Sequence, residues 1–399
     1  MHIAYITTEF VTEKYKGGLA TYLYNITDIM SKNGHEVTVI TLSDRNGEIQ
    51  FANHIHVIQV KREDMILTEN TIDACRVMLQ NSWKMHQTLK KVNHKKKIDI
   101  VQAANYKAIG FFRNYSIPTV VRASSDSSLW RNAAKVDFDY NNSLKEKKIQ
   151  DYMELWCVKN ADYSYAPSRF CARIIEKRAG KCMGVIESPY QSNECNEDDA
   201  IYIEKLYQKK YLLFNSSLSR LKGTHVGLQA TEKLLNKYPD LYMVYAGYDY
   251  GLSQASGNSQ RISEILRNQN KRFDGKVIYL GKVSREHLFP IIRGALACVL
   301  PSRVDNLPNS CIEAMALGSI VIGTYGASFE QLITNKENGL LIKRDSYRSL
   351  LMAVDYLLNL SDAEREMMKE KAAVTVSRLQ PQKIYEQVIA LYKNVIKEF

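Results

Sequence analysis

The stretch Pro301-Ser302-Arg303-Val304-Asp305-Asn306-Leu307-Pro308-Asn309-Ser310-Cys311-Ile312-Glu313 holds two carboxylates with seven residues between them. Cys298–Leu300 reads as a buried strand ending at Pro301, and a helix is predicted to begin near Ser310. Asp305 then falls on the loop and Glu313 in the first helical turn. Ionised carboxylates are the strongest acceptors for vicinal hydroxyls, such as those of a sugar and a ribose. The same residues also fit a capping box, Ser310-x-x-Glu313, in which Glu313 merely satisfies backbone N–H groups.

A second candidate is Arg220-Leu221-Lys222-Gly223-Thr224, which follows an apolar strand and opens a helix. Lys222 at that helix terminus suits a phosphate, with Arg220 beside it; the alternative is a surface lysine next to a Thr224 N-cap. Lys16-Gly17-Gly18 lies between the first strand and the first helix. Glycines there let backbone N–H groups approach an anion, although a plain tight turn explains them equally. No G-x-G-x-x-G run is present to indicate NAD. His35, His54, His56, His225 and His287 read as structural. Asp137-Phe138-Asp139 resembles a metal-binding D-x-D, but no buried strand precedes it and metal is not expected.

These candidates need a scaffold. Strand patterns at His2–Thr7, Glu36–Leu42, Ile55–Val60, Ile98–Gln102, Thr119–Arg122, Tyr163–Ala166 and Val185–Glu187 alternate with helices near 19–33, 71–94, 142–160 and 168–179. The second half repeats the plan. Its strands are expected at 211–214, 241–246, 277–280, 298–300, 319–323 and 340–342; a helix with Val226, Ala230 and Leu234 on one stripe follows the first of them, and further helices fall near 260–270, 285–294, 310–317 and 346–359. Ser361-x-x-Glu364 is a capping box, and Pro381 starts a last helix with Ile384, Val388, Leu391 and Val395 in register. Such alternation predicts α/β architecture: two Rossmann-like, doubly wound parallel-sheet domains facing across a cleft. The expected domains are 1–188 and 209–375, joined by a linker at 189–208, with 376–399 packing back on the first. Ligands in such sheets sit beyond the carboxyl ends of the strands, where the candidates fall.

A length of 399 residues suits two domains of roughly 150–200 residues. An apolar share of 45% and a charged share of 24% exclude a disordered chain. The N-terminus lacks a secretory signal, and the longest uncharged stretch, Ala314–Phe329, falls short of the ~18 residues that span a bilayer. Seven cysteines without a C-x-x-C pair read as free thiols in a reducing cytoplasm. The net charge of +11 favours phosphate-bearing partners. Its densest run, Lys84 to Lys97, is either a solvated helix end or a contact for an anionic membrane face. Aromatic platforms and recognition motifs for nucleic acid are missing, so charge alone argues for that partner and none is expected.

Taken together, Pro301-Ser302, Asp305 with Glu313, Glu313-Ala314-Met315-Ala316-x-Gly318, Gly326-x-x-x-Glu330 and Asn338-Gly339-Leu340-Leu341 are similar to the signature of glycosyltransferase family 4. Gly17-Gly18 with Gly34-His35-Glu36-Val37 resembles the N-terminal domain of that family, and Lys222-Gly223 its phosphate-binding lysine. The likeness runs in order from residue 1 to about 358. It implies a GT-B fold and a hexosyltransferase-type enzyme that transfers a sugar with retention from a UDP-, GDP- or ADP-sugar. It also implies a glycan or lipid-linked acceptor, no cofactor or metal, and a cytoplasmic place, peripheral on the inner membrane face.

By this resemblance Glu313 binds the ribose and Asp305 the donor sugar. Asn306 and Leu307 offer backbone N–H groups, and Val283, after Gly281-Lys282, lies beside the base. Lys222, Arg220 and the Gly17 and Gly18 amides receive the charge that builds on the departing diphosphate. Three positions depart from the family. Asp305 stands where the family usually has Glu, and Ser217 where it usually has a diphosphate-binding Arg. Arg122-Ala123-Ser124 replaces an acceptor-side Thr-x-His, so Arg122 and Ser124 are the acceptor candidates. A catalytically lapsed nucleotide-sugar-binding protein and a sugar-nucleotide 2-epimerase are the rival readings.

Overall fold

A computed structural model describes residues 1–14, 17–64, 71–144, 148–191, 199–253 and 259–399. Lys16, Cys195 and much of the expected linker lie outside the described residues. The chain divides into two compact units. One comprises Met1–Ser128, Leu144–Gln191 and Leu379–Phe399; the other comprises Leu129–Ser143 and Ser192–Arg378.

The first unit is built on eight strands: β1 His2–Thr7, β2 Glu36–Ser43, β3 Gly47–Ala52, β4 Ile55–Lys61, β5 Ile100–Ala104, β6 Thr119–Arg122, β7 Tyr163–Ala166 and β8 Gly184–Val185. They lie in the order β3-β4-β2-β1-β5-β6-β7-β8, and every pairing is parallel except β3 with β4. All residues of β1 and β5 are buried, as strands covered on both faces must be. Edge strand β3 was not expected from sequence. Its residues alternate half-buried and exposed, and its few apolar positions make a weak signal. The helix Pro381–Glu398 belongs to this unit and buries Ile384, Val388, Ile389, Tyr392 and Val395. Its Tyr392 hydroxyl donates to Gln102 Oε1 at 2.7 Å, and so does Tyr165.

In the second unit the strands are β9 Lys210–Asn215, β10 Leu241–Ala246, β11 Leu252–Ser253, β12 Ser259–Gln260, β13 Val277–Gly281, β14 Ala297–Leu300, β15 Val321–Thr324 and β16 Leu340–Ile342. Six form a wholly parallel sheet in the order β13-β10-β9-β14-β15-β16, and β11 and β12 pair by themselves. Val226, Ala230 and Leu234 of the helix Thr224–Lys237 are buried against this sheet, the stripe expected from their spacing. The Ser361 capping box is present, its hydroxyl accepting from Glu364 N and the Glu364 carboxylate accepting from Ser361 N.

The unit boundaries differ from the expected ones. Residues 129–143 group with the second unit although they follow β6 of the first sheet. Within the expected linker, the helix Ala200–Lys205 groups with the second unit. There Asp199 caps the helix and pairs with His287. Strand β5 runs to Ala104 rather than Gln102. The helix expected over 142–160 covers Ile149–Asn160, with a separate turn at Tyr140–Ser143. Among the described residues, Cys75, Cys157, Cys171, Cys298 and Cys311 are buried free thiols and Cys182 is exposed, and no helix is long and apolar enough to cross a membrane.

Candidate active site

A doubly wound sheet opens a crevice where successive connections leave to opposite sides, beyond the strands' carboxyl ends. In the second sheet that point lies between β9 and β14. The loops after these strands carry Lys222 and Asp305, and the structure joins them, with Lys222 Nζ 2.5 Å from Asp305 Oδ2. Both side chains are largely buried, at 21% and 11% exposure.

Glycine makes this approach possible. Gly223 takes φ +69°, and a Cβ placed there would lie 1.8 Å from the Pro301 carbonyl oxygen. The two loops therefore touch backbone to backbone, and Arg303 N donates to Leu221 O at 2.9 Å. Gly223 is also the N-cap of the helix Thr224–Lys237. Thr224, considered for that role, instead accepts from Ser219 N through its hydroxyl at 3.0 Å.

Glu313 does not take part in a capping box. The helix Asn309–Ala316 has Pro308 at its N-cap and no side-chain capping bond. The Glu313 carboxylate instead pairs with Arg285, the first residue of the helix Arg285–Arg293 after β13. Burial raises the Glu313 carboxyl above its ordinary value, against the opposing pull of Arg285. The resulting acidic group is only 13% exposed and is kept near one cation. Arg285 escaped the sequence reading because its link to Glu313 spans 28 residues and two separate loops.

The remaining donor-side candidates occupy the same rim. Burial lowers the Arg220 guanidinium, nearby Arg303 adds to this, and Asp345 and Asp137 oppose it. Half-buried Ser217 lies where Gly247 packs closely, since a Cβ on Gly247 would come within 1.9 Å of Ser216 O and 3.2 Å of Ser217 N. Half-buried Val283 lies two residues before the Arg285–Arg293 helix. Asn306 does not present its N–H outward as expected. It donates to Asp305 Oδ1 at 3.1 Å, while the Asn306 carbonyl accepts from Ser328. Leu307 is buried.

Arg303, in the same loop, was not singled out from sequence. It is 4% exposed, its Nε is 2.7 Å from Asp345 Oδ1, and Asp345 also meets His225 Nε2 at 2.8 Å. Burial pushes the Asp345 carboxyl up, but its bonds with His225 and Arg303 outweigh this and hold it below the usual range. Asp137-Phe138-Asp139 has a packing role: Phe138 lies under Arg303 and Arg344, and Asp139 accepts from Asn141 N and Asn142 N. Among the described residues no group of three His, Cys, Asp or Glu is placed to hold a metal ion.

In the first sheet the equivalent point lies between β1 and β5. Here a carboxylate already occupies the expected anion site. Gly17 N donates to Glu9 Oε2 at 2.8 Å, and the helix Gly18–Lys32 starts directly after it. Burial raises the Glu9 carboxyl, while the Gly17, Ala20 and Leu19 amides and the Lys107 charge pull it back. The Gly17, Leu19 and Ala20 amides therefore cradle Glu9 in this structure, and Gly18 is not among them. The acceptor candidates also part company. Arg122 is 4% exposed, packs 3.6 Å from the Tyr22 ring centroid and donates to Ser188 Oγ at 2.9 Å, so it is a buried structural cation. Half-buried Ser124 lies in the loop after β6, its N–H donating to Asn105 Oδ1 at 3.0 Å.

Solved structures share this arrangement of two parallel-sheet α/β domains. Sucrose-phosphate synthase from Thermosynechococcus elongatus matches with a TM-score of 0.77 and 16% identity, covering 100% of both chains. HepE of Anabaena, solved in complex with UDP, matches with a TM-score of 0.70 and 14% identity, covering 99% of this chain and 100% of that one. The fold is that of the GT-B glycosyltransferases.

The family-model comparison is more specific. Residues 201–375 match the model described as Glycosyl transferases group 1, and residues 16–187 match Glycosyltransferase Family 4. Spore coat protein SA of Bacillus subtilis is 23% identical over 411 residues, covering 99% of this chain and 100% of that protein. A D-inositol 3-phosphate glycosyltransferase of Corynebacterium urealyticum is 26% identical over 190 residues, which span 47% of this chain and 43% of that enzyme. The chain belongs to glycosyltransferase family 4.

Proposed function

We propose that this protein is a retaining, hexosyltransferase-type enzyme that moves a sugar from a nucleoside-diphosphate donor to a glycan or lipid-linked acceptor in surface polysaccharide or glycolipid assembly. The observation that carries the proposal is the meeting of Lys222 and Asp305 at the switch point of the second sheet. Relatives of the same fold were solved with UDP and with UDP-2-fluoro glucose, which supports a nucleotide-sugar donor.

The chemistry assigned to each side chain follows from its charge. When the anomeric C–O bond breaks, negative charge gathers on the departing diphosphate, and Lys222 is the cation set to receive it. A diphosphate competes with Asp305 for that ammonium, leaving the carboxylate to accept from sugar hydroxyls. Glu313, held by Arg285, accepts from the ribose hydroxyls. The departing phosphate oxygen takes the acceptor's proton on the face it leaves, so retention needs no protein base. Neither cofactor nor metal enters this scheme.

Calorimetry with UDP-, GDP- and ADP-sugars on the purified protein identifies the donor, and transfer assays with that donor test the site. Glu313→Ala should abolish detectable transfer while circular dichroism stays unchanged. A folded Glu313→Ala protein with near-normal turnover would exclude the ribose role. Ser217, standing where the family usually has an arginine, favours a second reading of a nucleotide-sugar-binding protein that has lost turnover. Tight binding without transfer to any acceptor selects it, and isomerisation of the donor alone selects a 2-epimerase.

The exposed basic end of the helix Thr71–Lys95 supports a peripheral place on the inner face of the membrane, where a lipid-linked acceptor would lie. Lys90, Lys91 and Lys95 are exposed there, about two to three turns beyond half-exposed Trp83. Each lysine near an anionic leaflet contributes ~1 kcal/mol. Sedimentation with phosphatidylserine vesicles but not with phosphatidylcholine vesicles is expected, and equal recovery from both rejects this placement.

A further inference from the structure

Residues 129–143 group with the second unit, although the chain on both sides of them belongs to the first. One side chain anchors this strap. Arg303 Nη1 donates to Ala133 O at 3.2 Å and to Lys135 O, and Nη2 donates to Val136 O at 3.4 Å. Phe138 adds a stacking contact, with the Arg303 and Arg344 guanidinium carbons 5.6 and 5.4 Å from its ring centroid. Arg303 itself lies two residues before Asp305, so the strap is tied to the loop that carries the site.

The strap brings Trp130 to that site. Lys222 Nζ lies over the indole, 5.6 Å from the ring centroid. Trp130 Nε1 is buried and meets no hydrogen-bond partner among the described residues. Buried indole N–H groups normally find an acceptor.

We propose that Trp130 is a positioning residue of the nucleoside-diphosphate site, its indole face holding the Lys222 ammonium and its N–H kept for an oxygen of the bound ligand. This rests on Lys222 being the phosphate ligand. Lysine is a point charge on a flexible stem, and Asp305 alone would hold it at the carboxylate. An aromatic face attracts the ammonium without using its N–H donors, so they stay available when phosphate oxygens arrive. Arg303 keeps the strap, and hence the indole, in place.

Three tryptophans make the idea directly measurable. Trp83 and Trp156 belong to the first unit, beside Phe112 and Phe111 respectively, whereas Trp130 and Lys222 belong to the second. UDP, GDP, ADP and their nucleosides are titrated into the wild-type protein, Trp130→Phe, Trp130→Leu, Trp83→Phe and Trp156→Phe, following both heat and tryptophan emission. The emission change on binding the preferred diphosphate should persist in Trp83→Phe and Trp156→Phe and vanish in Trp130→Phe. The diphosphate Kd should rise about tenfold in Trp130→Leu, with nucleoside affinity unchanged. An emission change that survives in Trp130→Phe, or equal weakening of diphosphate and nucleoside, overturns the inference. Should Trp130→Leu not fold, Trp130→Phe, which keeps an aromatic face but no N–H, decides. Wild-type protein that binds none of the three diphosphates overturns the donor reading as well, whereas normal diphosphate binding by folded Trp130→Leu overturns this inference alone.

Discussion

Gly223 and Lys222 act as one device. The glycine occupies a left-handed conformation against the Pro301 carbonyl, and this sets the lysine beside Asp305. Gly223→Ala meets both the positive φ and the carbonyl, so it should cost at least ~2 kcal/mol and weaken diphosphate binding as the loops part. Denaturant melts that match wild type would show that the loops tolerate a side chain. Lys222→Ala addresses charge alone. A lysine about 4 Å from a phosphate contributes ~4 kcal/mol at an effective dielectric of 20, against ~0.3–1 kcal/mol from an exposed helix terminus. The substitution should therefore weaken the diphosphate far more than the nucleoside in calorimetry, and equal losses would remove Lys222 from the phosphate site. The identities of Lys222, Asp305 and Glu313 were legible in the chain because their types and spacing are local. Their partners were not: Asp305 is 83 residues from Lys222 and Glu313 is 28 from Arg285.

At the level of elements, hydrophobic periodicity reports that a helix has an apolar face but not what covers it. The helix Pro381–Glu398 shows the difference. Ile384, Val388 and Val395 of the expected stripe are buried, but Leu391 is only half-buried and Tyr392 takes its place, and the partners are the helix Gly18–Lys32 and the sheet that begins at residue 2. Deleting 379–399 uncovers the face that buries Ile384, Val388, Ile389 and Val395 and removes Tyr392 from Gln102. Each buried aliphatic side chain contributes about 1.5–3 kcal/mol, which together rivals the whole stability of a typical domain. The truncated chain should be recovered as aggregate, while a soluble truncated protein with an unchanged melting temperature would mean that this helix is dispensable. The Ser310-x-x-Glu313 pattern fails in the opposite direction. It has the composition of a cap, but Pro308 is the N-cap and Arg285 draws the carboxylate away.

For the molecule as a whole, the first unit carries a burial cost that depends on pH. Burial raises Glu154 from 4.5 to about 7, although the Ser127 hydroxyl and the Lys107 amide both donate to it. A carboxyl whose folded pKa is raised favours folding fully below its unfolded value and loses that contribution as pH climbs through the folded one. Stability from this group should thus fall by roughly 3 kcal/mol between pH 4.5 and 7. Glu154→Gln keeps an acceptor without the charge. It should be more stable than wild type at about pH 8 and lose the advantage near pH 4.5. A wild-type-minus-variant difference that is flat over this range would show that Glu154 is solvated.

The chain by itself determined the alternating α/β plan, the parallel sheets of the two units and the three charged candidates Lys222, Asp305 and Glu313, because periodicity and motif spacing are properties of neighbouring residues. Tertiary structure alone decided the rest: that Glu9 accepts from the Gly17 amide at the first helix's start, that Arg122 is buried under Tyr22, and that residues 129–143 join the second unit. These outcomes depend on charges and rings far apart in sequence meeting where water is excluded. There Coulomb and stacking energies grow large enough to select one partner among many.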